Sequence, residues 1–202
     1  MNPLMRSSMP FGRVLDMLEL CALASDDILI DLGSGDGRIP ILGALLFGIS
    51  RTIGVESDDL ALEESSRRAG ELGLSEGIEF LHRDMFSLDL GEFDVITIFQ
   101  SQDAVERLAL KLQNEVHDGA RIVSYLIPLG GLSPLRMLKP ARIEYPFYVY
   151  SAPLKFLDES ESVRLLKALE KFGGASEIEW CEVWASRVRS TAMIQPGTQA
   201  EF

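Results

Sequence analysis

The run Asp31-Leu32-Gly33-Ser34-Gly35-Asp36-Gly37 sets three glycines at alternating positions, with one acid before them and a second among them. Glycines spaced this way let the backbone turn sharply and meet a ligand without Cβ atoms in between. Carboxylates beside such a loop are suited to a cation or to the hydroxyl protons of a diol, taken in charge-assisted bonds. Of two further acids, Glu56 ends the short run Ile53-Gly54-Val55 and Asp84 follows the stretch Ile78 to Arg83, with Met85 directly behind it. Dinucleotide sites also use glycines, but in the spacing Gly-x-Gly-x-x-Gly. Counted from Gly33, the third glycine would fall at position 38, which Arg38 occupies. That substitution, with no acid placed for hydride transfer, argues against a nicotinamide-dependent oxidoreductase.

These residues need elements to position them. Phe11, Val14, Leu15, Leu18 and Cys21 share a stripe at helical spacing, which predicts an opening amphipathic helix. Asp27 to Leu32 is an apolar run that stops at the glycine-rich turn, as a strand buried on both faces does. A helix is expected from about Arg38, with Pro40 tolerable in its first turn, and a strand from Thr52 to Glu56. Ser57, Asp58 and Asp59 then open a helix that runs to about Gly73. Strands follow at Ile78 to Arg83, Phe93 to Phe99 and Arg121 to Leu126, with a helix marked by Val105, Leu108, Ala109, Leu112 and Val116 before the last of them. This alternation predicts an α/β fold, a doubly wound and mostly parallel sheet with helices on both faces. Ile143 to Glu144 and Phe147 to Tyr150 read as a closing, antiparallel pair around Pro146. Beyond Ser151, a helix over Val163 to Phe172 ended by Gly173 and Gly174, a strand over Ile178 to Ala185 and a loose tail from Ser190 are expected. The chain thus divides into an N-terminal helical segment (1–25), a binding domain (26–151) and a C-terminal extension with tail (152–202).

Composition narrows the partners. With 47% hydrophobic and 25% charged residues the chain is globular rather than disordered. A net charge of -12 lacks the basic footprint of nucleic-acid binders; it serves solubility and is compatible with basic, lysine-bearing partners. No apolar run is long enough to span a bilayer, and the start of the chain shows no secretory pattern, so no membrane association is expected. Cys21, Cys181, His82 and His117 stand apart without metal-ligand spacing, so no metal is expected. The cytoplasm is the expected location.

The pattern acid-x-Gly-x-Gly-x-Gly, at the join of a first strand and a first helix, closely resembles the first motif of class I methyltransferases. The resemblance implies S-adenosylmethionine as cofactor, held by Asp31, Gly33, Ser34, Gly35, Asp36 and Gly37, with Glu56, Asp84, Met85 and Phe99 at the following strand ends. Within it, Asp31 and loop carbonyls suit the ammonium, amides near the helix start suit the carboxylate, and Glu56 suits the ribose diol. The Asp84 carboxylate and the Met85 amide suit adenine.

Longer stretches narrow the resemblance. Asp31 to Ile39, Leu110 to Val116 and Gly119 to Ser124 are similar to the archaeal broad-specificity protein-lysine methyltransferases and their mitochondrial relatives. Met9-Pro10-Phe11 looks like the segment that closes over the cofactor in that family. The likeness spans roughly Pro10 to Ser151. It implies a protein substrate with exposed lysines, with Phe99, Gln100 and Tyr125 as candidates for the acceptor channel and for catalysis. The family has apolar residues with a proline after the fourth strand, where this chain has Gln100, Ser101 and Gln102. The Pro-Pro-aromatic motif of base-modifying relatives is absent there. Alternative readings are methylation of a small molecule or an RNA, and a cofactor-binding module without turnover.

Overall fold

The computed structural model describes residues 8–138, 145–158 and 160. A seven-stranded sheet has the order β3-β2-β1-β4-β5-β7-β6. Its strands are β1 (Ile28–Leu32), β2 (Arg51–Glu56), β3 (Ile78–His82), β4 (Val95–Ile98), β5 (Arg121–Tyr125), β6 (Arg136–Leu138) and β7 (Phe147–Ser151). β1 to β5 pair in parallel, and β7 is antiparallel to both of its neighbours. The helices are α1 (Phe11–Leu20), α2 (Arg38–Phe47), α3 (Asp59–Glu71) and α4 (Gln102–Glu115). The strand order reverses beside β1, and in open parallel sheets the crevice at such a reversal is where ligands bind.

Strand alternation sends successive residues of β1 to opposite faces. Ile30 and Leu32 join the core under α4, with Val105, Leu108 and Leu112. Leu29 joins the core under α1, with Val14, Met17 and Leu18. Asp31 therefore shares the α1 face with Leu29, at the carboxyl end of the strand. Helix starts follow local chemistry. The Asp58 carboxylate accepts from the Ala61 amide (2.9 Å) to cap α3, and the Ser101 hydroxyl caps α4 through Ala104.

One expectation changes and another is not reached. The strand expected over residues 143–144 lies outside the described residues, and β7 pairs with Arg136–Leu138, a strand not expected from the sequence. Three residues at a sheet edge are too few to show alternation, which hid this strand from the sequence. In α1 the buried face is Val14, Met17, Leu18 and Cys21, whereas Phe11 and Leu15 are exposed. The buried set keeps helical spacing, and Phe11 in the first turn meets the Arg38 guanidinium instead of the core. The elements expected over 163–172 and 178–185, and the tail from Ser190, lie outside the described residues. Among the described residues, no helix is long and apolar enough to cross a membrane, and no cluster of potential metal ligands occurs.

Candidate functional site

The loop between β1 and α2 turns back against β2, with the Gly33 and Ser34 amides both donating to the Val55 carbonyl (2.8 and 2.9 Å). Gly33, Gly35 and Gly37 have φ of +84°, +53° and +76°, backbone that residues with a Cβ rarely adopt. Each glycine has a different neighbour. A Cβ on Gly33 would collide with the Gln100 side chain, and one on Gly37 with Ser65 and Phe80, whereas nothing lies within 4 Å of a Cβ built on Gly35. Gly35 therefore offers bare backbone to a cavity of about 510 Å³, a size usual for small-molecule sites.

Asp31, Gly33, Ser34, Gly35, Asp36, Glu56, Phe99 and Gln100 all line this one cavity. Asp31 is buried, and its Oδ1 accepts a hydrogen bond from the Thr97 hydroxyl (2.8 Å). Burial pushes its carboxyl up to about 7; the Thr97 bond opposes that shift, and the nearby Glu56 and Asp36 add to it. No cation pairs with Asp31 among the described residues. Glu56 leaves the end of β2 toward the loop, where Oε2 accepts from the Gly35 amide (2.9 Å) and Oε1 from the Ser57 and Asp58 amides (2.7 and 3.0 Å). Ser34 Oγ is buried and has no hydrogen-bond partner.

Phe99 adds an aromatic ring to the lining. Phe99 packs on Tyr125 with ring centroids 5.4 Å apart, and Tyr125 packs on Phe147 at 4.7 Å. Gln100 donates through Nε2 to the Leu32 carbonyl (3.0 Å), which pins its amide over Gly33. Tyr125 is buried behind Phe99 and does not line the cavity itself.

Three other predicted residues lie off the cavity lining. Gly37 packs against α3 and β3. Asp84 and Met85 follow β3, next to the strand that ends in Glu56. The Asp84 carboxylate accepts from the Phe86 amide (3.0 Å) and caps a short turn over Met85–Ser87. Arg107 of α4 stacks on the Phe86 ring, 3.5 Å from its centroid, and steadies that turn.

Sequence reasoning used Arg38 only to exclude dinucleotides and missed what it holds. Its guanidinium engages both Asp36 oxygens and the Met9 carbonyl, and lies 5.0 Å from the centre of the Phe11 ring. Arg68 of α3 also donates to Asp36 Oδ2 (2.7 Å). Burial raises the Asp36 carboxyl, but the hydrogen bonds from Arg38 and Arg68 outweigh it and hold it below the ordinary range. Asp36 lines the cavity with both oxygens already engaged by arginines. An acid two residues before an arginine in the loop was the available signal, and sequence alone does not reveal such a contact.

These residues fit the cofactor implied by the glycine motif. A buried carboxylate without a protein cation suits an ammonium, and open backbone at Gly35 admits a ligand to contact distance. The model of the ANTKMT methyltransferase domain matches residues 31–136. The chain is 32% identical over 136 residues to a protein-lysine N-methyltransferase of Saccharolobus islandicus (strain REY15A), covering 66% of this chain and 84% of that one. It is 30% identical over 110 residues to the adenine nucleotide translocase lysine N-methyltransferase of Mus musculus, where the match covers 54% of this chain and 48% of the mouse enzyme. Among solved structures, an RNA methyltransferase from Salinibacter ruber in complex with S-adenosyl-L-homocysteine superposes with a TM-score of 0.70 at 30% identity, covering 76% of this chain and 97% of that one. With its sheet order, its glycine loop and these matches in agreement, the chain belongs to the ANTKMT methyltransferase domain family and is an S-adenosylmethionine-dependent methyltransferase.

Proposed function

We propose that the chain methylates the Nζ of lysine side chains in a protein substrate. The reading rests on one observation: Asp31, Gly35 and Glu56 line a single cavity together with Phe99 and Gln100. Asp31 then takes the cofactor's ammonium, and amides at the start of α2 take its carboxylate. Glu56 takes the ribose diol, since carboxylate oxygens have lone pairs beyond those its amide contacts use. Asp84 and the Met85 amide serve the adenine one strand farther along. When bound, S-adenosylmethionine supplies an electrophilic sulfonium methyl.

The remaining work falls to Phe99 and Gln100. A free lysine has a pKa of about 10.4 and must lose its proton before its lone pair can attack. Desolvation beside Phe99, backed by Tyr125, favours the neutral amine. Gln100 is pinned through Nε2, and its Oε1 accepts from the amine and orients the lone pair. With the cofactor bound, Phe99 and Gln100 would hold the amine in line with the sulfonium methyl; the new nitrogen–carbon bond would replace the carbon–sulfur bond, leaving S-adenosylhomocysteine, and the proton would pass from the nitrogen to water. Alignment is the chief catalytic contribution.

Relatives named for protein-lysine methylation support this acceptor. A net charge of -12 also favours a basic partner over a polyanion. The Salinibacter ruber likeness makes RNA the second reading. The cytoplasm suits the free thiol of Cys21. Incubation of a cell extract with methyl-labelled cofactor separates the acceptors. Label in protease-sensitive material that yields methyl-lysine on hydrolysis is expected. Label released by nuclease, or lost on dialysis, would contradict it.

A further inference from the structure

We propose that Thr97 is a positioning residue for the cofactor: its hydroxyl holds the Asp31 carboxylate so that the second oxygen is presented to the ammonium. The inference rests on the assignment of Asp31 to that ammonium. β1 and β4 pair in parallel with Asp31 opposite Thr97, so both side chains leave the same face of the sheet. On the other side of Asp31 the register partner is Gly54, which has no side chain to touch it. Thr97 is completely buried, and its hydroxyl donates to Asp31 Oδ1 at 2.8 Å, nearer than its other acceptor, the Ile30 carbonyl, at 3.3 Å. Asp31 Oδ2 receives no hydrogen bond among the described residues.

The ionisable groups around Asp31 make that single donor matter. Glu56 at the end of β2 and Asp36 in the loop both disfavour its charge. Arg38 on α2 and Arg68 on α3 are engaged by Asp36. Cys21, at the end of α1, has its thiol pushed up by burial and stays neutral. Arg121 of β5 is paired with Asp27. Among the described residues Thr97 is the group that donates a hydrogen bond to this carboxylate, and removing it loosens the rotamer and raises the cost of ionisation together.

The test is calorimetric binding of S-adenosylhomocysteine and of 5′-methylthioadenosine, which lacks the amino-acid portion, between pH 5.5 and 8.5. Wild type, Thr97→Val, Thr97→Ser and Asp31→Asn are compared. Thr97→Val should weaken S-adenosylhomocysteine by roughly tenfold at neutral pH, the scale of one hydrogen bond to a charged group. It should move the pH midpoint of binding upward and leave 5′-methylthioadenosine unchanged. Thr97→Ser, which keeps the donor, should restore the wild-type profile. An unmoved midpoint in Thr97→Val, or equal loss of both ligands, would overturn the positioning role. If Asp31→Asn also binds both ligands as wild type does, the assignment of Asp31 to the ammonium fails with it. If Asp31→Asn is selective and Thr97→Val is not, Thr97 alone is wrong.

Discussion

Asp31 is a carboxylate that the fold buries and leaves for something else to neutralise. Its carboxyl lies near 7 in the folded chain against an ordinary 3.8. Below about pH 4 it is protonated in both folded and unfolded chains. Between there and about 7 the fold retains a proton that the unfolded chain releases, so stability falls as pH rises through this window. Asp31→Asn should therefore melt above wild type at pH 8, by on the order of a few kcal/mol, with the advantage shrinking toward pH 4; paired thermal melts at the two pH values check this. A wild type as stable at pH 8 as its variant would contradict the burial cost. Gly33 makes a second case. Its φ of +84° and the Gln100 side chain in the space of a Cβ predict that Gly33→Ala costs roughly 1–2 kcal/mol of backbone strain alone and lowers turnover by displacing Gln100, which steady-state kinetics would show. The glycines were legible in the sequence because a bare loop has a spacing that few other structures use. Thr97 and the bond from Gln100 to Leu32 were not, because both depend on which strand lies beside β1.

At the scale of elements, the loop, α2, α3 and the start of the described chain meet at one cluster. Asp36 draws Arg38 from α2 and Arg68 from α3, while Arg38 also reaches the Met9 carbonyl and the Phe11 ring. Arg38→Ala removes the clasp and leaves Asp36 with Arg68 alone. We expect a loss of about 1–3 kcal/mol for a partner withdrawn from a half-buried charge. Faster amide exchange from Arg13 to Leu15, with weaker cofactor binding, should accompany it, and hydrogen-exchange mass spectrometry reads that segment directly. Exchange unchanged there would separate the clasp from the N-terminal turn. The strands β1 to β5 and helices α1 to α4 were legible because short apolar runs alternate with capped or helically spaced stretches along this part of the chain. β6 was not: Arg136–Leu138 is an edge strand of three residues, and Ile143 with Glu144, close to Pro146, offered the more visible pattern.

At the scale of the molecule, two apolar cores on opposite faces fix the sheet, and the strand reversal beside β1 opens the crevice that the loop lines. Ligand grip should therefore feed into global stability. At 100 times its dissociation constant a ligand stabilises by about 2.7 kcal/mol, so S-adenosylmethionine and S-adenosylhomocysteine should raise the melting temperature while nicotinamide dinucleotide does not. The order of carboxylates at successive strand ends carried most of the function in the sequence, because parallel strands bring Asp31, Glu56 and Asp84 to the same end of the sheet, although only the first two line the cavity. The most direct measurement is a crystal structure of the complex with S-adenosylhomocysteine. The account predicts the ligand amine within hydrogen-bond distance of Asp31, the ribose hydroxyls on Glu56 and the sulfur facing Phe99 and Gln100. A ligand bound with its ribose away from Glu56 and its amine away from Asp31 would contradict it.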